Sequence, residues 1–325
     1  MYFQAFSPDE KYVVFSANRT GDFELYRFDI KNTSAAQITS GFKKTYNYTC
    51  FKNKIILNDS EKVKSIDIES LEENTVFEKK QDWIELFGGP AISEIGNWVA
   101  CFYKDKDGKL GIVYKNLTNS DPAETLKLPE GIKTVSHLLA APSEELILTF
   151  NILPDKQNDS GLPDSQRARS WKLDVKKEKL EPFLVMPAGF RATHEYWGHN
   201  RNLRLYFHKK TVPSWVPNVV ASIDINGRDY KEHLFSQTRR LGHSAISYDN
   251  RFMVSDVQQP GENELYLLDT RTEKYEIICW PDSSCNPERN QLGHVHPSFS
   301  SRGNYIIYSS DRNGKTSVYI VPLII

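Results

Sequence analysis

Histidine is the residue type in this chain that is best suited to chemistry near neutral pH, and four of its eight copies recur at one position of a repeated pattern. Each of the four lies seven residues before the first tight turn of a repeat unit: His137, His194, His243 and His296. Neutral imidazole is a common metal ligand and an effective general base. If the four positions are equivalent in the fold, we expect the imidazoles to form a ring around one axis.

The last repeat unit carries a further histidine, within Gln291-Leu292-Gly293-His294-Val295-His296. His294 and His296 are two residues apart, so on a β-strand they project to the same face. Imidazole suits zinc, manganese, iron or nickel, and an amide oxygen from Gln291 favours manganese or a similar ion. The pattern therefore predicts a divalent metal site. The alternative is a set of polar residues that line a channel and are bridged by water.

The elements that must position these histidines are short β-strands. The segment Phe6–Gly21 has the pattern of strand, tight turn, strand and turn, and the segment 299–314 near the other end repeats it. Weaker copies lie between them, and no window sustains the apolar periodicity of a helix over three turns. Seven units over 325 residues average about 46 residues (325/7), which is the size of a four-stranded propeller blade.

We therefore predict an all-β fold, a seven-bladed β-propeller of four-stranded antiparallel blades that forms a single domain over residues 1–325. The predicted blades span about 1–41, 46–80, 87–130, 132–186, 188–238, 241–285 and 290–325. A β-sandwich would not explain a repeat shared by the two ends, and a β-helix would have shorter, more uniform turns. Polar insertions are predicted at 153–167 and 208–218. The last unit ends at its third strand, so its outermost strand is expected to be missing.

Composition excludes several classes of protein. The chain has 41 basic and 42 acidic residues, so no broad basic surface for nucleic acid or an anionic membrane is expected. No apolar run predicts a transmembrane helix, and the first residues do not resemble a signal peptide. Four scattered cysteines without a CxxC pair indicate reduced thiols, and together these features predict a cytoplasmic protein.

Two segments carry a resemblance to a known family. Thr193-His194-Glu195-Tyr196-Trp197 resembles the catalytic-histidine motif of the oligogalacturonate lyases, a polysaccharide-lyase family with a seven-bladed propeller. The segment 291–299 resembles the metal motif of that family, Gln-x-x-His-x-His followed by Pro-Ser-Phe. The likeness extends over almost the whole chain. It implies an enzyme that cleaves short oligogalacturonides, which are fragments of pectin, by β-elimination to give 4,5-unsaturated uronate products.

The resemblance also implies roles for individual residues. The implied ligands of a metal ion, typically manganese, are His243, Gln291, His294 and His296. His194 would be the general base, and Arg169, twenty-five residues before it, would meet the substrate carboxylate. Further candidate contacts to an acidic oligosaccharide are His137, Arg191 and His199.

Other functions stay open at this point. A propeller that binds a protein or sugar partner without catalysis predicts no metal. A metal-dependent hydrolase on the same scaffold differs from a lyase in its products alone. A lyase for another uronate, such as glucuronate or a rhamnose-linked galacturonate, is also compatible, because sugar stereochemistry is recognised by loops.

Overall fold

The computed structural model describes residues 5–42, 47–159, 161–163, 166–259, 261, 263–286 and 292–323. Within these residues the chain forms 27 β-strands in seven antiparallel sheets, and the connections are turns and loops. No helix in this part of the chain is long and apolar enough to cross a membrane. The predicted all-β propeller of seven blades is confirmed.

Each sheet is a meander in which consecutive strands are neighbours. The first sheet contains β1 (Ala5–Phe6), β2 (Tyr12–Ala17), β3 (Glu24–Asp29) and β4 (Ser34–Gln37). The second contains β5 (Tyr48–Phe51), β6 (Lys54–Asn58), β7 (Lys62–Asp67) and β8 (Glu73–Glu78). The third contains β9 (Trp83–Ser93), β10 (Trp98–Asp105), β11 (Leu110–Asn116) and β12 (Glu124–Lys127).

The remaining sheets follow the same plan. The fourth contains β13 (Val135–Ala140), β14 (Ile147–Ile152), β15 (Ser170–Asp174) and β16 (Lys179–Leu184). The fifth contains β17 (Phe190–Trp197), β18 (Arg204–Thr211), β19 (Asn218–Asp224) and β20 (Lys231–Ser236). The sixth contains β21 (Leu241–Ile246), β22 (Phe252–Val257), β23 (Leu265–Asp269) and β24 (Lys274–Cys279), and the seventh contains β25 (Ser298–Phe299), β26 (Tyr305–Ser310) and β27 (Ser317–Pro322).

The core is a ring of apolar layers between adjacent sheets. Side chains alternate along a strand, and in β10 both faces are buried: Val99, Cys101 and Tyr103 pack toward the second sheet, whereas Ala100 and Phe102 pack toward the fourth. Each pair of neighbouring sheets encloses one such cluster. The inner strands are therefore held from both sides, which makes them a rigid support for a site at the axis.

One turn recurs in the first, sixth and seventh sheets and accounts for the repeat in the sequence. Ser7 Oγ accepts a hydrogen bond from the Tyr12 N–H at 2.9 Å. The same bond joins Ser247 to Phe252 at 2.9 Å, and Ser300 makes it in the seventh sheet. Each serine satisfies a backbone N–H at the start of the second strand, so the hairpin register is the same in each copy.

The ring closes by contacts between the first and last sheets. The rings of Phe6 and Tyr305 stack with centroids 5.9 Å apart. The Glu10 carboxylate accepts hydrogen bonds from the Arg302 backbone N–H at 2.9 Å and from Asn304 Nδ2 at 2.7 Å. The two ends of the described chain are thus joined by packing and polar contacts.

Three details concern the size and the boundaries of the blades. In the described residues the seventh sheet has three strands, as the sequence predicted, and a largely apolar groove lined by Phe15, Phe28 and Ile320 runs beside it. The third sheet begins at Trp83, ahead of the predicted start of this blade at residue 87. The ring of Trp83 stacks on that of Tyr103 at a centroid distance of 4.0 Å, which adds this segment to the sheet. The segment predicted as an insertion at 208–218 is partly strand, since β18 continues to Thr211.

Candidate active site

A β-bulge interrupts the innermost strand of three consecutive sheets at the position of a histidine. The pairing shifts between Ser136 and Leu139, between Thr193 and Tyr196, and between Leu241 and Ser244. A bulge bends the strand and redirects a side chain. The predicted equivalence of the histidine positions therefore has a structural counterpart in the fourth to sixth sheets.

The backbone at three of these histidines is in the left-handed region. The φ angles are 54° at His137, 56° at His194 and 48° at His296. Non-glycine residues rarely adopt this conformation, and it is concentrated at functional sites where the surrounding fold imposes it. The backbone is therefore locally strained at three of the four histidines that the repeat pattern predicts to be functional.

Three of the histidines converge into one cluster, which we call the histidine cluster: His243, His294 and His296. One ring nitrogen from each lies within 4.8 Å of the others. The ring centroids are 3.7 Å apart for His243 and His296 and 5.4 Å apart for His243 and His294. Burial lowers the pKa of all three imidazoles, so they are neutral, as metal ligands must be. The donor set fits a divalent cation, and the fourth predicted ligand, Gln291, lies outside the described residues.

A buried carboxylate orients the first of these ligands. Asp256 is fully buried on β22 and accepts hydrogen bonds from the backbone N–H of His243 and from its Nδ1 at 3.1 Å. This leaves Nε2 of His243 for a cation, and a carboxylate behind a histidine is the usual support of a metal ligand. The Gln258 amide contacts His294 Nε2 at 2.7 Å from the same strand end. Asp256 and Gln258 were not predicted from the sequence. An aspartate within the largely apolar strand Phe252–Val257 could have indicated a buried partner for a functional residue.

His194 lies beside the histidine cluster. Its ring centroid is 4.5 Å from that of His243 and 5.7 Å from that of His208. Burial, followed by the charge of His243, lowers the pKa of His194 well below 6.5, so the imidazole is unprotonated at neutral pH. In the described part of the chain its Nδ1 has no hydrogen-bond partner. A neutral imidazole next to a candidate metal site is suited to remove a proton from a bound molecule.

Arg169 is buried in a network of charges that includes Glu195, the residue after His194 in the sequence. Its Nε donates to Glu195 Oε1 at 2.6 Å, and its Nη1 donates to Asp155 Oδ2 at 3.0 Å. Arg191 donates to the same Asp155 oxygen at 3.1 Å. The structure therefore brings the two predicted arginines together, with their charges offset by two carboxylates that the sequence analysis did not single out.

The other two predicted contacts lie in different surroundings. His137 is exposed, bonds through Nδ1 to Ser136 Oγ at 2.9 Å, and is within electrostatic range of the Arg169 network. His199 lies elsewhere, with its Nδ1 3.2 Å from Glu94 Oε1 and its ring stacked on Tyr248 at 4.1 Å. The structure therefore does not bring His199 together with the histidine cluster.

The buried imidazoles predict a pH-dependent stability of the metal-free protein. Burial lowers the pKa of the six histidines that are buried or partly buried at the site or in the blades around it: His194, His208, His233, His243, His294 and His296. Below pH 6.5 the unfolded chain binds protons at these rings and the folded chain does not, so the free energy of unfolding falls as the pH is lowered. We expect the thermal midpoint of metal-free protein to drop steadily between about pH 7 and about pH 5. A midpoint that stays constant over that interval would contradict the burial of these rings.

Comparisons with known proteins were made by sequence and by structure. No family model matches the sequence. Two curated relatives are similar over 99% of this chain and 89% of their own length: "Oligogalacturonate lyase" of Dickeya dadantii, 21% identical, and "Oligogalacturonide lyase" of Pectobacterium atrosepticum, 23% identical. The chain resembles the oligogalacturonate lyases along nearly its whole length. The resemblance predicted from the two motifs is thereby confirmed.

A solved structure agrees with the sequence comparison. The structure described as an oligogalacturonate lyase in complex with manganese superposes with a TM-score of 0.80 and is 18% identical. The match covers 99% of this chain and 89% of that oligogalacturonate lyase. At this identity the likeness establishes the fold.

Proposed function

We propose that this chain is a metal-dependent lyase that cleaves short oligogalacturonides by β-elimination. The observation that carries the proposal is the neutral imidazole of His194, buried beside three further neutral imidazoles that can share one cation. The similarity to curated oligogalacturonate lyases over 99% of the chain supports the same reaction class and substrate.

The reaction needs a base and a means of stabilising negative charge. A base removes the proton from C5 of a uronate, the C–H electron pair becomes the C4=C5 double bond, and the bond from C4 to the glycosidic oxygen breaks. The departing oxygen takes up a proton. The negative charge that develops at C5 spreads onto the neighbouring carboxylate, so positive charge or hydrogen-bond donors at that carboxylate lower the barrier.

The residues of this chain divide these tasks. The imidazole of His194 accepts the C5 proton, because its pKa is low enough to keep it unprotonated. His243, His294 and His296 hold the metal, with Gln291 as a further proposed ligand. A divalent cation there would act as a Lewis acid toward the substrate carboxylate. We propose manganese because the solved relative is described as a manganese complex.

Arg169 is proposed to orient the substrate carboxylate. Its guanidinium has five N–H groups. The N–H on Nε and one N–H on Nη2 donate to Glu195, and one N–H on Nη1 donates to Asp155. The second N–H on Nη2 faces the Asn151 amide oxygen at 3.3 Å, which leaves the second N–H on Nη1, in the same rigid plane, for a substrate carboxylate. A substrate carboxylate can therefore be bound without breaking the network, and Glu195 and Asp155 keep the guanidinium in place.

Asp256→Asn tests the support of the metal site. The amide keeps the size of the side chain and removes the charge that orients His243, so we expect the affinity for Mn²⁺ to fall by about 10- to 100-fold. Calorimetric titration of metal-free protein with Mn²⁺ measures the change. Asp249→Asn is the matched control, since Asp249 lies in the β21–β22 turn and bonds to Ser247. Equal affinity of the two variants would contradict the role of Asp256.

The free cysteines support a proposed cytoplasmic location. Cys50, Cys101, Cys279 and Cys285 are free thiols, and Cys101 and Cys285 are buried. Free thiols persist in a reducing compartment. We propose that the enzyme acts there on galacturonide fragments from pectin degradation.

The reaction is tested by its products. Protein loaded with Mn²⁺ is incubated with trigalacturonate, the ultraviolet absorbance of the conjugated uronate is followed, and the products are weighed by mass spectrometry. A lyase gives rising absorbance and fragments whose masses sum to that of the substrate. Fragments heavier by one water, without absorbance, would show a hydrolase, and an unchanged substrate would favour a binding propeller.

A further inference from the structure

Buried polar atoms without hydrogen-bond partners are concentrated in one sheet. Within the described residues, all of these atoms except Ser16 Oγ belong to the fifth sheet: Arg191 Nε, Thr193 Oγ1, His194 Nδ1, His208 Nδ1, Lys210 Nζ and Asn218 Oδ1. An unpaired buried polar group is costly, and native structures keep such groups where a ligand or a reaction uses them. Their clustering points to one ligand-binding surface.

Strand pairing places four of these groups on one face of the sheet. Arg191 pairs with Lys210, and Thr193 pairs with His208. Directly opposite residues, and residues two apart on a strand, share a face. His208 Nε2 is 2.8 Å from Ser244 Oγ of the sixth sheet, so this face looks toward the neighbouring blade. Lys210 therefore lies on the same side as His208, whose ring contacts that of His194.

Three cations converge on one indole ring at this face. Lys210 Nζ is 5.1 Å from the centroid of Trp215, the guanidinium carbon of Arg240 is 4.9 Å from it, and that of Arg191 is 6.0 Å from it. Lys210 is buried, Arg191 is partly exposed and Arg240 is exposed. The three cations therefore range from the buried interior to the surface. We call Arg191, Lys210 and Arg240 the cation cluster.

The charges of the cation cluster are not offset as those of Arg169 are. Arg169 is matched by Glu195 and Asp155. The three members of the cation cluster have, within the described residues, one ion pair, which Arg191 makes with the Asp155 that Arg169 also uses, and the buried Asp256 acts on Lys210 over a longer range. Like charges near one another repel, and a bound anion relieves the repulsion. Burial, followed by the charge of Arg240, lowers the pKa of Lys210 to about 7. A carboxylate beside Lys210 would raise this pKa and restore the full charge.

We propose that the cation cluster is a carboxylate-binding subsite, which takes the uronate residue next to the one at the histidine cluster. The inference rests on the proposed lyase function and specifies its substrate, an oligosaccharide with free carboxylates on adjacent residues. Lys210 in the interior and Arg240 at the surface supply the positive charge, and Trp215 holds them in register through its ring face.

Binding of digalacturonate, measured apart from turnover, tests the subsite. The titrations use Mn²⁺-loaded protein in a His194→Ala background, so that the ligand is not consumed. Lys210→Met removes the charge and keeps the length of the side chain, and we expect binding about 10- to 100-fold weaker than in the parent. Digalacturonate methyl-esterified at both carboxylates should bind to the parent and to Lys210→Met with equal, weak affinity.

The chain offers a matched control and a second variant. Lys209 is adjacent on β18 but points to the opposite face, where it pairs with Glu232 at 3.2 Å, so Lys209→Met should bind digalacturonate as the parent does. Arg240→Gln changes an exposed residue and keeps the core intact, and it should weaken binding in the same direction. This second variant decides the test if Lys210→Met does not fold.

The outcomes separate the subsite from the lyase function. Equal affinity of the parent and both cation-cluster variants for digalacturonate would overturn the subsite, even if the wild-type chain is an active lyase. Weaker binding by both variants, together with a wild-type chain that does not cleave galacturonides, would support the subsite and reject the lyase. Equal weakening by Lys209→Met would show a nonspecific effect of charge and would also overturn the subsite.

Discussion

His194→Ala should lower kcat on trigalacturonate by about 10²- to 10⁴-fold and leave the bound metal near the wild-type level. The imidazole of His194 lies 4.5 Å from that of His243 but is proposed to act on the substrate, so its removal takes away the base and keeps the ligands. His296→Ala should lose both metal and turnover, because His296 belongs to the histidine cluster. Steady-state kinetics and metal analysis of the purified variants measure the two effects.

His199→Ala is the matched control for these variants. His199 contacts Glu94 and Tyr248 rather than the histidine cluster, so its loss should leave metal content and kcat close to those of the wild type. A metal content that falls equally in His194→Ala and His296→Ala would contradict the division of roles. A His194→Ala variant that retains most of its turnover would remove His194 from the reaction.

Arg169→Met should lower kcat/KM by about 10²- to 10³-fold and should also destabilise the fold. The substitution removes the donors proposed to bind the substrate carboxylate, leaves the buried carboxylate of Glu195 without its partner, and leaves Asp155 paired with Arg191. Breaking a buried ion pair in this way costs about 3–5 kcal/mol. Arg169→Lys retains a charge but not the planar set of donors, so it should recover part of the stability and little of the activity.

The comparison with Arg251→Met separates catalysis from folding. Arg251 pairs with Asp269 at 2.9 Å in a more exposed position, so its loss should change both stability and activity little. Kinetics at a temperature well below each thermal midpoint isolates the catalytic effect. Wild-type kcat/KM in folded Arg169→Met protein would contradict the proposed contact, and an unchanged midpoint would contradict the buried network.

The ring of blades could be predicted from the sequence because its cause is local. The serine at one hairpin turn of the first, sixth and seventh sheets, such as Ser7 and Ser247, bonds within six residues and fixes the same register in these three copies. Counting back from that turn locates the histidines of the inner strands. The convergence of His194, His243 and His296 follows from their equivalent positions in a propeller, whereas His294 joins His243 and His296 from outside those positions and His137 lies apart from them.

The partners of these residues could not be predicted, because they come from other strands and other blades. Asp256 reaches His243 across a bulge, whose position depends on the pairing of β21 with β22. Glu195 and Asp155 reach Arg169 from two separate segments. Lys210 was part of a segment expected to be a loop, and its burial follows from the extension of β18 to Thr211.

Imidazoles that are distant in the sequence are proposed to bind one cation together. Anomalous diffraction can locate that cation and identify its ligands. Crystals of Mn²⁺-loaded protein are measured at wavelengths on either side of the manganese absorption edge. We expect one strong anomalous peak within bonding distance of ring nitrogens of His243, His294 and His296. The absence of a peak there, or a peak bound by other residues, would contradict it.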